Sequence, residues 1–243
     1  MDRLELAKGV EATRDFALFL RDERALVISD LHLGFEGALA EQGVSIPRFQ
    51  RRVILERLGK MLDRVKAEAV IVAGDFKHEF SRNLTDEWIE VKQVLRFLRD
   101  RVTPILVRGN HDNYLATILG DLGLKLQDRA DVGGYTIVHG HEDVSTLHPI
   151  VMGHEHPAVK LKDELGATIS VPAFLVTDRL VVLPAYSPLA LGVDVSSYPY
   201  LSPILNRTPI DDARVIGVEE KEGLLDFGRM RDLKRIRAAL LMK

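Results

Sequence analysis

Hydrophobic and polar residues alternate along the first half of the chain in blocks that predict strands. The runs "FALFL" (16–20) and "RALVISD" (24–30) flank the polar residues "RDE", a turn of hairpin length. Two continuous apolar runs follow, "AVIVAG" (69–74) and "PILVRG" (104–109), and each is typical of a strand that is covered on both faces. We therefore predict a hairpin followed by two buried strands.

The segments between these strands carry apolar residues at helical spacing. One helix is predicted from Pro47 to about Lys66, with Pro47 in its first turn. A second helix is predicted to extend through Arg99, with Thr85 as its N-cap. Strand and helix thus alternate in the first half of the chain.

The second half is dominated by β-type runs, at residues 135–140, 149–154, 174–185 and 213–227. Residues 194–212 are rich in proline and serine and predict a long loop, and residues 228–243 predict a basic C-terminal helix. Because no linker divides the chain, we expect one domain over residues 1–243. An α/β fold with two packed sheets flanked by helices accommodates both halves.

Composition narrows the possible chemistry. The 243 residues are 46% hydrophobic, which is enough for a substantial core. Cysteine is absent, which excludes thiolate catalysis and thiolate metal ligands, so a bound metal must use nitrogen and oxygen. The formal net charge of -3 provides no general attraction for nucleic acid or membranes. The chain shows no signal peptide and no apolar run long enough to cross a bilayer, so we expect a cytoplasmic protein.

Potential metal ligands follow five of the predicted strands, and five of the eight histidines lie within residues 139–157. Side chains at the carboxyl ends of strands converge in an α/β sheet, and neighbouring glycines permit sharp turns. The polar residues at these ends are Asp30, His32, Asp75, Asn110, His111, Asp112, His139, His141, His154 and His156.

The ordered motifs resemble those of the calcineurin-like metallophosphoesterases. The motifs are "SDLHLG" (29–34), "GDFKHEF" (74–80), "GNHD" (109–112), "VHGH" (138–141) and "GHEH" (153–156). Together with "LSPIL" (201–205), they are most similar to those of the small phosphoesterases related to the SbcD repair nuclease. The resemblance implies a four-layer αββα sandwich, the metallophosphoesterase fold, with two metal ions in its site.

The resemblance also implies a role for each matching residue. The ligands of the first metal would be Asp30, His32 and His156, and Asp75 would bridge both metals. The second metal would take Asn110, His139 and His154. His111 would act near the substrate phosphate or the leaving group, and Asp112 would orient His111 from behind.

Such a site suits phosphodiester hydrolysis. Two divalent ions lower the pKa of a bridging water, so that hydroxide forms near neutral pH, and they polarise the phosphoryl oxygens. His111, when protonated, would stabilise negative charge or protonate the departing oxygen. Ligation by His, Asp and Asn without sulfur favours Mn²⁺, Fe²⁺ or Zn²⁺, and we expect Mn²⁺.

Several histidines keep alternative interpretations. His141 is a residue that orients a ligand, a substrate contact, or a ligand in place of His139. His78 supports a ligand, contacts substrate, or has a structural role. His148 is expected to be uninvolved in catalysis, and Arg108 is either a phosphate contact or a surface ion-pair residue.

The substrate is the least determined feature. Basic residues of the C-terminal segment either track the phosphates of nucleic acid or form a solvated face over Leu233, Ile236, Leu240 and Leu241. These basic residues are Arg229, Arg231, Lys234, Arg235, Arg237 and Lys243. We expect a phosphodiesterase acting on nucleotide or nucleic-acid substrates. The alternatives are a DNA-processing nuclease related to SbcD and a catalytically silent metal-binding scaffold.

Overall fold

The computed structural model describes residues 1–81, 84–162, 167–190, 192–196 and 198–241. Its strands are β1 (Arg3–Ala7), β2 (Val10–Thr13), β3 (Leu18–Leu20), β4 (Ala25–Ile28), β5 (Ala69–Ala73), β6 (Thr103–Val107), β7 (Leu126–Gln127), β8 (Ala130–Val132), β9 (Tyr135–Val138), β10 (Ile150–Met152), β11 (Pro157–Lys162), β12 (Thr168–Val176), β13 (Leu180–Val182), β14 (Val193–Asp194), β15 (Arg214–Glu219) and β16 (Gly223–Arg229). Its helices are α1 (Phe35–Glu41), α2 (Gln50–Val65), α3 (Thr85–Arg99), α4 (Leu115–Gly120), α5 (Pro203–Asn206) and α6 (Met230–Leu241).

The first sheet contains seven strands in the order of the chain, from β1 to β7. Strands β1 to β4 are antiparallel, and β3 with β4 forms the predicted hairpin. Strands β4 to β7 are parallel, and the two predicted buried strands are β5 and β6. The sequence pattern missed β1 and β2, because β1 is an edge strand whose side chains alternate between exposed and half-buried.

The second sheet contains nine strands of mixed direction. Strands β9, β10 and β13 are parallel, whereas β12 is antiparallel to β11, β13 and β15. The runs predicted at 174–185 and 213–227 each contain a hairpin, β12 with β13 and β15 with β16. This connectivity brings the ends of β9 and β10 to the same side of the sheet.

Alternate residues of β12 show how the layers pack. Phe174 and Val176 belong to a core shared with the first sheet and with α2 and α3, whereas Ala173 and Leu175 belong to a second core with α5 and α6. The sheets therefore lie face to face, with helices on both outer sides. The predicted α/β sandwich of two sheets flanked by helices is confirmed.

Helix α2 begins later than predicted. Its first residue is Gln50, and Pro47 lies outside it. The Glu36 carboxylate accepts the backbone N–H groups of Phe49 and Gln50, at 2.6 and 2.9 Å, and so satisfies donors that a helix start leaves free. Helix α3 was also capped differently, since Thr85 is its first residue and Leu84 occupies the N-cap.

The predicted loop at 194–212 contains the end of β14 and the short helix α5. The predicted C-terminal helix begins at Met230, after β16. Within the described ranges, no helix combines the length and apolar composition required to cross a bilayer.

Candidate metal centre

Loops from both sheets meet at one end of the molecule. Parallel pairing aligns the carboxyl ends of β4, β5 and β6, which are followed by Asp30, Asp75 and Asn110. In the second sheet, β9 and β10 are followed by His139 and His154. His139 connects the two sheets, because its Nδ1 atom lies 3.0 Å from the carbonyl oxygen of Ala73.

The first cluster of candidate ligands contains Asp30, His32 and His156, with ligand atoms within 4.8 Å of one another. The Nε2 atom of His156 lies 3.1 Å from Asp30 Oδ1 and 3.3 Å from His32 Nε2. Two further groups orient the Asp30 carboxylate: the Ser29 hydroxyl donates to Oδ2 at 2.6 Å, and the backbone N–H of His154 donates to it at 3.1 Å.

The second cluster contains Asp75, His139 and His154, again within 4.8 Å. The Nε2 atom of His139 lies 3.2 Å from Asp75 Oδ2 and 3.0 Å from the side-chain oxygen of Asn110. The amide oxygen of Asn110 therefore belongs to the same cluster. The structure thus brings all seven proposed metal ligands into two adjacent groups.

Asp75 belongs to the second cluster and also lies close to the first. Its Oδ2 atom is 3.8 Å from His32 Nε2 in the first cluster and 3.2 Å from His139 Nε2 in the second. A third group of ligand-type atoms, from His32, His78 and His111, also lies within 4.8 Å. The clusters are therefore continuous with a histidine-lined region beside the catalytic candidate His111.

Burial and charge prepare these groups to bind cations. Burial lowers the pKa of His32 to about 3, and burial with the His139 charge lowers the pKa of His154 to about 4, so both rings are neutral and offer a lone pair. Burial raises the pKa of Asp75, but the hydrogen bond and charge of His139 outweigh it and lower the pKa to about 2. Burial likewise opposes ionisation of Asp30, but nearby imidazoles hold its pKa well below the usual range. The neutral rings of His32 and His154 and the ionised carboxylates fit a divalent-metal site. Burial opposes protonation of His139 and His156, but neighbouring carboxylates raise the pKa of both rings, so a cation must displace their protons.

The backbone is strained where these ligands lie. Eight non-glycine residues in the described part of the chain have positive φ angles, and five of them belong to the clusters. Non-glycine residues rarely adopt this conformation, and such strain concentrates at functional sites. The five residues are Asp30 (58°), His32 (47°), Asp75 (51°), His154 (69°) and His156 (46°).

His111 is held at the edge of the clusters. Its backbone N–H donates to Asp75 Oδ1 at 3.0 Å, and its ring Nδ1 contacts the carbonyl oxygen of His78. Its Nε2 atom lies 4.0 Å from Asp75 Oδ2. Because the carbonyl can only accept, Nδ1 carries the proton and Nε2 is directed toward the clusters.

Asp112 does not orient His111 as we expected. Its buried carboxylate accepts the N–H of Gly109 at 2.9 Å and those of Phe76 and Lys77 at 3.0 and 3.3 Å. Burial and the charge of Asp75 raise its pKa to about 7. Asp112 therefore joins the loop after β5 to the loop after β6, and His78 occupies the position behind His111.

The remaining histidines, His78, His141 and His148, differ in their distance from the two clusters. His141 belongs to neither cluster, although its ring lies 5.2 Å from that of His139, and its buried Nδ1 has no hydrogen-bond partner among the described residues. The His78 ring stacks on Phe35, with centroids 4.1 Å apart. His148 precedes β10 and therefore lies at the opposite end of that strand from the clusters.

Four of the basic residues that we considered for phosphate binding have acidic partners. Arg108 lies 3.4 Å from Asp128 and is partly exposed, which agrees with the ion-pair interpretation. Near helix α6, Arg229 and Arg231 pair with Asp212, at 3.2 and 2.7 Å. Lys234 pairs with Asp211 at 2.8 Å.

Among the described side chains of the C-terminal helix, the apolar residues differ in burial. Leu233 packs against the second core, whereas Ile236 is 59% exposed. Lys243, which we included among the basic residues, lies outside the described residues, as do the side chains of Arg237, Leu240 and Leu241.

Sequence patterns missed the contacts that brace the two histidine loops. Glu155, between His154 and His156, is buried, and its carboxylate accepts the N–H groups of Leu201 and Ser202. The Ser202 hydroxyl donates to the carbonyl of Gly140 at 2.6 Å. The "LSPIL" segment thus contacts both loops. In the sequence this segment contributes only to the resemblance to the SbcD-related phosphoesterases. The burial of Glu155 cannot be predicted from its position between two histidines.

Comparisons with known proteins identify the family of the chain. The chain is similar in structure to a nuclease MPE from Pseudomonas putida, with 20% sequence identity, a TM-score of 0.68, and coverage of 93% of this chain and 99% of the other. It also matches Yfce, a phosphoesterase from E. coli, with 14% identity, a TM-score of 0.39, and coverage of 80% and 87%. The search of curated proteins found no match. The model of the calcineurin-like phosphoesterases matches residues 23–174, and the chain therefore belongs to this family of hydrolases that act on phosphoester bonds.

Proposed function

We propose that this protein is a dinuclear metal-dependent phosphodiesterase that acts on nucleotides or nucleic acids. The position of Asp75 carries the proposal, because its Oδ2 atom lies within 4 Å of a candidate ligand nitrogen in each cluster, 3.8 Å from His32 Nε2 and 3.2 Å from His139 Nε2. Two divalent cations about 4 Å apart repel strongly unless an anion lies between them. The Asp75 carboxylate is suited to that bridging position.

Bound cations would supply an activated water for in-line attack and would neutralise the phosphoryl oxygens. The residues of the chain determine the charge of the site, since Asp30 and Asp75 are the anionic members and the amide of Asn110 is neutral. Two carboxylates and two divalent cations leave an excess of positive charge, which favours a phosphodiester monoanion. Nitrogen and oxygen ligands suit Mn²⁺, our first choice, as well as Fe²⁺ and Zn²⁺.

His111 is the proposed acid. Its Nδ1 proton is held by the His78 carbonyl, so Nε2 is the ring nitrogen available to the substrate. From this position an imidazolium can donate to the departing oxygen or to a phosphoryl oxygen that gains charge. Asp112 supports His111 indirectly, through the backbone of the loop after β6.

A DNA-processing nuclease is the second candidate. The structural neighbour from P. putida is a nuclease, which supports the inclusion of nucleic acids among the substrates. The ion pairs of Arg229, Arg231 and Lys234 with acidic residues favour the compact phosphodiesterase over a protein that tracks long nucleic acids through α6. The two candidates differ in the size of substrate and in the salt dependence of binding.

The experiment compares substrates under matched metal conditions. Protein freed of metal with a chelator is loaded with Mn²⁺, Fe²⁺ or Zn²⁺, and its metal content is measured. Phosphodiesters, phosphomonoesters, cyclic nucleotides and single- and double-stranded nucleic acids are then assayed for hydrolysis. We expect Mn²⁺-dependent cleavage of diesters that is lost in Asp75→Asn and His111→Ala.

His148→Ala is the matched control, because this histidine lies at the opposite end of β10, and we expect wild-type activity from it. Metal-loaded protein that cleaves none of the diesters would contradict the proposal and favour a metal-binding scaffold. Efficient cleavage of long DNA alone, with binding that weakens steeply as salt increases, would favour the nuclease.

A further inference from the structure

An exposed phenylalanine borders the candidate metal centre. Phe80 is 57% exposed, and its ring lies 5.8 Å from the ring of His111, at an interplanar angle of 84°. One ring therefore presents its edge to the face of the other. Isolated exposed apolar residues are common on protein surfaces, so the position beside His111 gives this one its significance.

The loop that carries Phe80 is held in place by contacts on both sides. The carbonyl oxygen of Phe80 accepts a hydrogen bond from the Asn113 side chain at 3.2 Å. The preceding residue, Glu79, donates its backbone N–H to the buried carboxylate of Glu87 at 2.7 Å. An exposed ring on a braced backbone loses little conformational freedom when a ligand packs on it.

Further rings extend this side of the centre. Phe35 and His78 stack with centroids 4.1 Å apart, and His78 and His111 stack at 5.5 Å. Phe35, His78, His111 and Phe80 thus form a row of rings, and Phe80 is its exposed end. An apolar ring beside a phosphoester site suits a flat aromatic group attached to the reacting phosphate.

We propose that Phe80 is a stacking platform for the nucleobase next to the scissile phosphate, an inference that rests on the proposed phosphodiesterase function. A single sugar separates a nucleobase from its phosphate, and the Phe80 ring lies 5.8 Å from that of His111, so the base that neighbours a phosphate at His111 is within reach of Phe80. Every base has a π-face, so the platform accepts any of them. Removal of such a stacking ring corresponds to roughly a 5- to 150-fold loss of affinity.

The test compares a short single-stranded oligonucleotide with one that carries an abasic residue beside the cleaved bond. We expect Phe80→Ala to lower kcat/KM about tenfold or more on the complete substrate, with little change on the abasic one. Phe80→Trp keeps a stacking surface and should retain wild-type kcat/KM. Leu147→Ala is the control, since Leu147 is 92% exposed and precedes β10 at its end remote from the centre.

Binding is measured separately with a dinucleotide that contains 2-aminopurine, whose fluorescence decreases on stacking. Quenching by the wild type that Phe80→Ala abolishes supports the platform even if no diester is cleaved, in which case the proposed function alone fails. Diester cleavage with equal effects of Phe80→Ala on complete and abasic substrates, together with unchanged quenching, would overturn the platform and leave the proposed function intact.

Discussion

The buried carboxylate of Glu155 accepts the backbone N–H of Ser202 at 3.0 Å. This contact joins the loop of His154 and His156 to the segment before α5. The hydroxyl of Ser202 in turn donates to Gly140, in the other histidine loop. The positions of His139, His154 and His156 therefore depend on Glu155, which belongs to neither cluster.

We predict that Glu155→Ala weakens Mn²⁺ binding. The backbone N–H groups of Leu201 and Ser202 lose their acceptor and the histidine loop loses its brace. Loss of such supporting contacts typically costs 10- to 100-fold in metal affinity. Glu155→Gln keeps one acceptor oxygen and should give an intermediate affinity. Isothermal titration calorimetry measures both, and wild-type affinity in Glu155→Ala would exclude the bracing role.

Asp112→Asn should destabilise the fold. The carboxylate accepts three backbone N–H groups, and an amide must turn its NH₂ toward at least one of these donors. A buried donor without an acceptor costs about 1–3 kcal/mol. Urea unfolding of the wild type and the variant measures the difference in the free energy of unfolding. Equal stabilities would show that these backbone groups find other partners.

Gly74→Ala should disrupt the second cluster. A Cβ atom built on Gly74 would lie 2.4 Å from the Nδ1 atom of His139, and the φ angle of +87° is unfavourable for alanine. The ring must leave its present position beside Asp75, so we expect loss of metal binding and of diesterase activity. The matched variant Gly120→Ala has open space at its Cβ and should bind metal normally.

A buried ion pair supports the loop after β5. Lys77 Nζ lies 3.5 Å from Glu87 Oε2, both residues are buried, and Nζ makes no hydrogen bond within the described part of the chain. Glu87 Oε1 also accepts the N–H groups of His78 and Glu79. The pair therefore supports the backbone of His78, whose carbonyl oxygen contacts the His111 ring.

We predict that Glu87→Gln lowers the free energy of unfolding by about 3–5 kcal/mol, because it leaves a buried ammonium without its counterion. The amide oxygen can still accept the two N–H groups, which isolates the effect of charge. The double variant Lys77→Met with Glu87→Gln should recover most of the lost stability. If the double variant is less stable than Glu87→Gln, the charge of Lys77 is not the cause.

Local patterns were sufficient for the elements that place the ligands. Two apolar runs predict β5 and β6 and the polar residues that follow them, because buried parallel strands are continuously apolar in sequence. The resemblance of the motifs to those of the family implies that Asp30 and His156 share a metal, although 126 positions separate them in the sequence.

Contacts between distant segments could not be predicted in the same way. Glu36 determines the start of α2 from 13 residues upstream of Phe49, and Glu155 binds a segment 47 residues away at Ser202. Most glutamates are exposed to solvent, so the sequence does not indicate which ones are buried. The neighbour of His111 was misassigned for the same reason, since Asp112 is adjacent in the chain but binds backbone groups instead.

Proton competition should make metal binding depend on pH. Although burial lowers the pKa of His139, the hydrogen bond and charge of Asp75 raise it to about 9 in the metal-free protein. The protonated ring therefore stabilises the metal-free fold fully below its ordinary pKa of 6.5, and this contribution is lost as pH rises through about 9. A cation that binds His139 must displace the proton.

We therefore expect the apparent affinity for Mn²⁺ to increase as pH rises from 6.5 toward 9, with proton release on binding. Calorimetric titrations in buffers of different ionisation enthalpy measure the released protons. His148→Ala should show the same release as the wild type, because His148 lies outside both clusters. Binding at pH 7 without proton release would contradict a protonated His139, and an affinity that falls with rising pH would reverse the sign of the proposed competition.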